Sequence, residues 1–243
     1  MATNTVERVP WSAERRFYTF MALAIFFAMY VGFARTFFLR PWFPEAHVMS
    51  PPEPFFYFHG MVFTAWFALL LLQPALVGMG RTDLHRMVGR FGAMLAVGVV
   101  AVGTMGALIA ARRAGGFTGI PIPPAQFVII PFGDIALFAL FVGMAIARRH
   151  DSQSHKRLML VGSLCLIDAA IARWPVVISV GNPILFFALT DLFLVPLAIW
   201  DFNTRGRLHP VTLWAGLLLI VSQPLRLWLS GTDAWLQVIA MVL

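Results

Sequence analysis

His85, His155 and His209 each stand where a basic link gives way to an apolar stretch, so their imidazoles are expected at one depth near one membrane face. His85 opens the run Leu84-His85-Arg86-Met87-Val88-Gly89-Arg90-Phe91-Gly92, which on a helix puts Gly89 and Gly92 on the histidine's own face at i+4 and i+7. A haem held by an imidazole needs a flat wall beside the ligand, and two missing side chains would supply it. His155 opens His155-Lys156-Arg157-Leu158-Met159, with Met159 one turn on and Lys156 and Arg157 available to haem propionates. A bis-imidazole site for one b-type haem on His85 and His155 is therefore one expectation. Its rival is that the glycines serve close helix packing and the basic residues anchor to lipid headgroups. His209 precedes Pro210 and reads as a helix-start residue.

A second set lies deeper. Asp134, Asp168 and Asp191 fall roughly 12–17 Å along their segments, near the midplane of a bilayer. An acid there costs a few kcal/mol unless it is neutral, paired or wet, with about 3 kcal/mol typical of insertion scales. Arg173 and Arg226 lie within apolar segments, Gln223 stands one turn before Arg226, and His59 sits about a turn and a half into its segment. Together these residues predict a buried polar cavity used as a proton relay, a quinone or lipid pocket, or a substrate path. The competing expectation is a set of structural interhelical pairs. Asp168 and Arg173 are five residues apart, about 140° around a helix, so they are expected to pair with other helices and not with each other.

The elements that must position these residues are membrane helices. Of 243 residues, 60% are hydrophobic and 12% charged, too much apolar surface for a water-soluble domain. Hydropathy divides the chain into about seven spans: Phe17–Leu39, Pro54–Met79, Met87–Ala111, Ala125–Ala147, Leu158–Val180, Pro183–Trp200 and Val211–Leu229. Pro41, Pro44, Pro51, Pro52, Gly115, Gly116, Pro121, Pro123, Pro124, Gly181, Asn182 and Pro183 punctuate the links. The expected architecture is an all-α polytopic bundle forming a single membrane domain over residues 1–243. It comprises a cytoplasmic segment 1–16, the bundle 17–229 and a short interfacial segment 234–243.

Lys and Arg fall 12 to one set of alternate links and 4 to the other, which predicts a cytoplasmic N-terminus and an outer C-terminus in a bacterial inner membrane. The run from Phe17 is too long for a signal-peptide core and reads as a retained first helix. The formal charge of +7 is spread over short links, which points to the lipid bilayer and not to nucleic acid. Cys165 is the only cysteine, so neither an intrachain disulfide nor a multi-cysteine metal site can form. Phosphate-cradling Gly loops, nucleophile elbows and zinc-protease spacings are absent from the sequence.

Phe58-His59-Gly60 leading to Gln73, then Leu84 to Arg90, then His155 to Met159 with Ala169, Ala170 and Arg173, resembles a broad family of bacterial predicted membrane proteins of unknown function. The resemblance covers about half the chain, Phe55 to Pro175, and implies architecture more than chemistry. A more distant likeness is to the ascorbate-reducible transmembrane cytochromes b, whose four-helix core holds two haems. It implies His85 and His155 as the cytoplasmic ligand pair. The outer pair would need His59 and a histidine on the fourth span, where this chain has Asp134 and no histidine. The expectation is one haem, with electron or proton transfer near a quinone or a membrane-protein partner. The alternatives are a small-molecule or proton carrier built on the buried Asp and Arg residues, and a cofactor-free accessory subunit.

Overall fold

The computed structural model describes residues 12–43, 54–113, 116–117 and 120–243. Most of the expected cytoplasmic segment, residues 1–11, and the link residues Pro44, Pro51, Pro52 and Gly115 lie outside them. Among the described residues the chain is helical, without strands.

Six apolar helical segments among the described residues are long enough to cross a membrane. The first begins at Ala13, ahead of the expected Phe17, because the Ser12 hydroxyl accepts the Arg15 N–H at 3.3 Å and caps α1 (Ala13–Phe33). Its buried face, Tyr18, Met21, Ala22, Ile25, Ala28, Met29 and Gly32, follows the three-and-four spacing of one helical stripe. A π-helical turn over Ala34–Phe38 extends it. Then come α2 (Pro54–Gly78) and, after a turn at Gly80 with φ +76°, α3 (Thr82–Arg112). The buried face of α3 is Gly92, Ala96, Val99, Gly103, Gly106 and Ala107, small enough for α2 and α5 to approach closely. The short α4 (Pro124–Phe127) leads into α5 (Ile129–Ala147).

The expected fifth span is not one helix. It is built as α6 (Ser152–Leu164), α7 (Asp168–Ile171) and α8 (Pro175–Val180). Between α6 and α7 the backbone tightens to i→i+3 bonds, Leu166 N–H to Ser163 C=O at 3.2 Å and Ile167 N–H to Leu164 C=O at 3.1 Å. Pro175 accounts for the second break, since it opens α8 and lacks an N–H. The expected sixth span is likewise divided into α9 (Pro183–Asp191) and α10 (Leu194–Arg205). Pro196 cannot donate to the carbonyl one turn before it, and the chain between the two helices again uses i→i+3 bonds. The bundle closes with α11 (Pro210–Ser230) and α12 (Asp233–Ala240). This last helix packs on the bundle, with Trp235 Nε1 donating to the Ala125 carbonyl at 2.8 Å and Arg112 donating to the Val242 carbonyl.

The broken segment α6–α7 is the centre of the molecule. Nearly every side chain from Leu158 to Ile171 is buried, as expected of a helix that is apolar all round and has neighbours on all sides. Those neighbours are α1, α2, α5 and α11 around α6, and α1 and α9 around α7. Trp66 of α2 donates to the buried Ser163 hydroxyl at 3.2 Å, and Trp174 donates to the Ala28 carbonyl of α1 at 3.3 Å. The closest backbone approach is at Gly32 of α1, where a Cβ would stand 2.7 Å from Ala170 Cα and closer still to its carbonyl group. All three of the nearest atoms are backbone, not the end of a flexible side chain. Gly32→Ala should therefore cost at least the 1–3 kcal/mol usual for overpacking, about the range of a large single-site effect. Denaturant unfolding of detergent-purified protein reads that loss, and a wild-type midpoint would contradict the packing described.

Candidate functional site

Two polar centres lie on the central segment, one near the start of α6 and one at its break. At the first, the His85 and His155 rings stand with centroids 6.5 Å apart and planes at 86°. Both Nδ1 atoms are engaged. His155 Nδ1 lies 2.8 Å from the Ala145 carbonyl at the end of α5, so it carries the proton and leaves Nε2 as the lone-pair nitrogen. His85 Nδ1 faces the side-chain amide of Gln73, whose oxygen takes the Gly89 N–H at 3.1 Å. The amide nitrogen donates both to Nδ1 and, at 3.2 Å, to the His85 carbonyl, so Nδ1 is an acceptor and the neutral His85 ring carries its N–H on Nε2. Sequence reasoning placed Gln73 in a recognisable run without giving it this role. Its signal was a lone amide in the apolar stretch of α2, beside Pro74.

The glycines beside His85 divide. A Cβ on Gly89 would meet only the Gln73 amide nitrogen, at 3.8 Å. A Cβ on Gly92 would come within 2.6 Å of Leu69 Cδ2, so Gly92 packs α3 onto α2 and is not part of a flat open wall. The expected propionate partners are also committed elsewhere. Arg157 is buried and pairs with Asp201 of α10, its Nε donating at 3.1 Å and its Nη2 also reaching Oδ1. Lys156 lies 2.5 Å from Glu14 of α1. A guanidinium at 1% exposure requires a charge partner of its own, and Arg157 takes Asp201.

Asp201 was not singled out from the sequence. Besides Arg157 it receives the Thr212 hydroxyl at 2.6 Å and the His209 N–H at 3.0 Å. No local spacing announces this lock, whose members come from α6, α10 and α11. His209 caps α11, its Nδ1 accepting the Val211 N–H at 3.1 Å, and burial next to Arg157 holds its pKa below the ordinary histidine value.

The second centre gathers five of the seven expected cavity residues. Arg226 of α11 donates through Nη1 to Asp134 of α5 at 2.5 Å and to the Ile130 carbonyl at 2.7 Å. Asp168, the first residue of α7, receives the Thr190 hydroxyl from α9, and its carboxyl lies within hydrogen-bonding reach of Asp134. Gln223, three residues before Arg226, donates to Asp191 at 2.9 Å. Gly133 makes the space for Arg226, since a Cβ there would collide with the arginine's Cδ and stand 2.9 Å from its Nε and Nη1. Asp134, Asp168, Gln223 and Arg226 are all buried, while Asp191 is partly exposed.

His59 and Arg173 do not join them. His59 stacks on Phe63 at 4.2 Å and 20° and lies against Gly106 of α3. Arg173 bonds its own Ala169 carbonyl at 2.5 Å and lies over the Phe33 ring at 4.7 Å. Among the described residues no three His, Cys, Asp or Glu side chains converge as metal ligands.

Fold and sites together define a multi-pass α-helical membrane protein with an imidazole pair near the start of its central segment and a buried ionic cluster at the break. Comparison with family models, curated proteins and solved structures finds no match for this chain.

The ionic cluster sets a clear energetic expectation. Asp134→Leu removes one partner of a buried pair and should cost about 3–5 kcal/mol, because Arg226 keeps its charge in an apolar interior. Adding Arg226→Met should recover a large part of that loss, since the double variant buries neither charge. Unfolding midpoints for the two single variants and the double variant form the cycle. Additive losses would mean that the two side chains do not support each other.

Proposed function

We propose that this chain is a bacterial inner-membrane protein of seven membrane segments, N-terminus inside and C-terminus outside, that carries one b-type haem between His85 and His155 and transfers electrons. A quinone or a membrane protein is the class of redox partner. The observation that carries this reading is the spacing of the two imidazoles. Two imidazoles this close could hold one haem iron between them. The observed separation is 6.5 Å, with both Nδ1 atoms held by the protein. A haem bound there would supply one-electron chemistry.

The chain's own residues do the rest. The Ala145 carbonyl fixes His155 in the tautomer that presents Nε2, whereas Gln73 donates to Nδ1 of His85, so iron binding at Nε2 of His85 would require its proton to move to Nδ1 and the amide to turn over. Gly89 keeps the turn above His85 clear of any side chain of its own. With Lys156 and Arg157 committed to carboxylates, the exposed Arg86, Arg90 and Arg148 would be left to pair with haem propionates. A second reading, a small-molecule carrier, is favoured by a different observation: two broken segments meet with acids at their breaks, Asp168 and Asp191.

Purified protein from haem-supplemented cells should carry about one haem per chain with the sharp reduced bands of a low-spin bis-imidazole site. His85→Ala and His155→Ala should each abolish that signal, and His209→Ala should leave it. Gly89→Leu should insert normally yet lose haem. Colourless wild-type protein would remove the haem reading and leave the carrier.

The proposed topology rests on the 12 to 4 division of Lys and Arg between alternate links. Reporter fusions after Arg81, Arg149 and Arg205 should report the cytoplasm, and fusions near Pro44, Gly116 and Gly231 the outside. Reversal at two or more of these points would sink the orientation.

A further inference from the structure

The ionic cluster at the break of the central segment contains more acid than its base can balance. Asp134 and Asp168 bring two carboxyl groups into hydrogen-bonding reach of each other, with the single guanidinium of Arg226 beside them. Asp168 is 1% exposed and Asp134 7%, so neither is screened by bulk water. Every other group on the pair can be named. Arg226 Nη1 donates to Asp134 Oδ1, and the Thr190 hydroxyl donates to Asp168 Oδ1. Asp168 Oδ2 has no hydrogen-bond donor among the described residues, and Arg226 Nη2 has no acceptor. The remaining titratable neighbours are Asp191, at the end of α9 and occupied by Gln223, and Cys165, in the turn before α7.

Two ionised carboxylates in contact at low dielectric repel strongly, and neither can donate to the other. One proton resolves both difficulties. It gives the pair a single negative charge to set against Arg226, and it turns the orphaned contact into an O–H···O hydrogen bond. We propose that the Asp134–Asp168 carboxyl pair is a one-proton binding site, seated where the central segment breaks and held by Arg226 and Thr190. The proton belongs to the pair and not to either residue alone. Asp134 sits on the continuous helix α5 and Asp168 on the first turn of α7, so the shared proton is also a mechanical link between the bundle and the break. Its release sets two like charges against each other at a point where the backbone is already out of the regular ladder, and its uptake closes the contact again. This inference stands apart from the haem, since it uses none of the residues around His85 and His155.

The experiment is infrared spectroscopy of the purified full-length chain in lipid nanodiscs, at neutral pH and after exchange into D2O. Surface carboxyls are ionised at about pH 7. A protonated buried carboxyl should remain as one carbonyl-stretch band in the carboxylic-acid region and should shift on deuteration. Asp168→Asn, whose amide can donate to Asp134 in place of the shared proton, should fold and lose the band. Asp134→Asn provides the second variant should the first fold poorly, and it should lose the band as well, because Asp168 then faces Arg226 alone. Asp191→Asn should keep it. A wild-type spectrum without the band, a band that survives in a folded Asp168→Asn protein, or its loss in Asp191→Asn would each overturn the proposal. The same measurement on His85→Ala separates it from the haem reading: the band should persist there whether or not the wild type is coloured.

Discussion

A guanidinium and two carboxyl groups buried together in an apolar bundle must meet, because each alone in that interior would cost several kcal/mol, about the whole margin by which a protein of this size is stable. Arg226, Asp134 and Asp168 meet from α11, α5 and α7, and Thr190 adds α9. The register of four elements is set by that requirement. Gly133 is empty on the side where the arginine passes, and α7 begins at the very residue that carries the second carboxyl. Apolar packing alone would tolerate sliding of these helices along one another; the ionic cluster does not.

The second lock works by the same physics near the start of α6. Arg157 and Asp201 are buried, and the lone pairs that the guanidinium leaves free on Asp201 are taken by Thr212 and by the backbone of His209. These satisfied partners let a charged pair sit under the link between α10 and α11. They also explain why the basic run after His155 is unavailable to a ligand: one cation belongs to Asp201 and the other to Glu14. What remains beside His85 and His155 is a pair of imidazoles oriented through Nδ1 and not otherwise employed.

Both centres lie on one segment. From His155 to Asp168 is 13 residues, about 20 Å along a helix, and the side chains between them are almost all buried. An electron carrier near one end and a proton site at the break would share the least exposed stretch of the molecule. The segment's contacts with α1, α2, α5, α9 and α11 mean that any shift at the break is felt by most of the bundle.

Composition and hydropathy alone determined that this chain is a membrane-type helical bundle, because apolar stretches of about twenty residues have few other solvents open to them. The placement of Asp134, Asp168, Asp191, Gln223 and Arg226 within those stretches already marked them as costly and therefore in need of partners. The His85 and His155 pairing was legible for a related reason: two segments running the same way from basic links put their first residues at one depth. The breaks were only half legible. Pro175 and Pro196 announce themselves, whereas nothing between Leu164 and Asp168 is glycine or proline. Which cation meets which acid was decided by tertiary structure, since Arg173 turned to Phe33 and Arg226 to Asp134 across 92 positions of sequence. So was the fate of Gly92, filled by Leu69, and of Arg157, claimed by Asp201. Depth in a membrane is a property of one segment and can be counted along the chain; azimuth around a helix axis acquires meaning only when neighbours are in place.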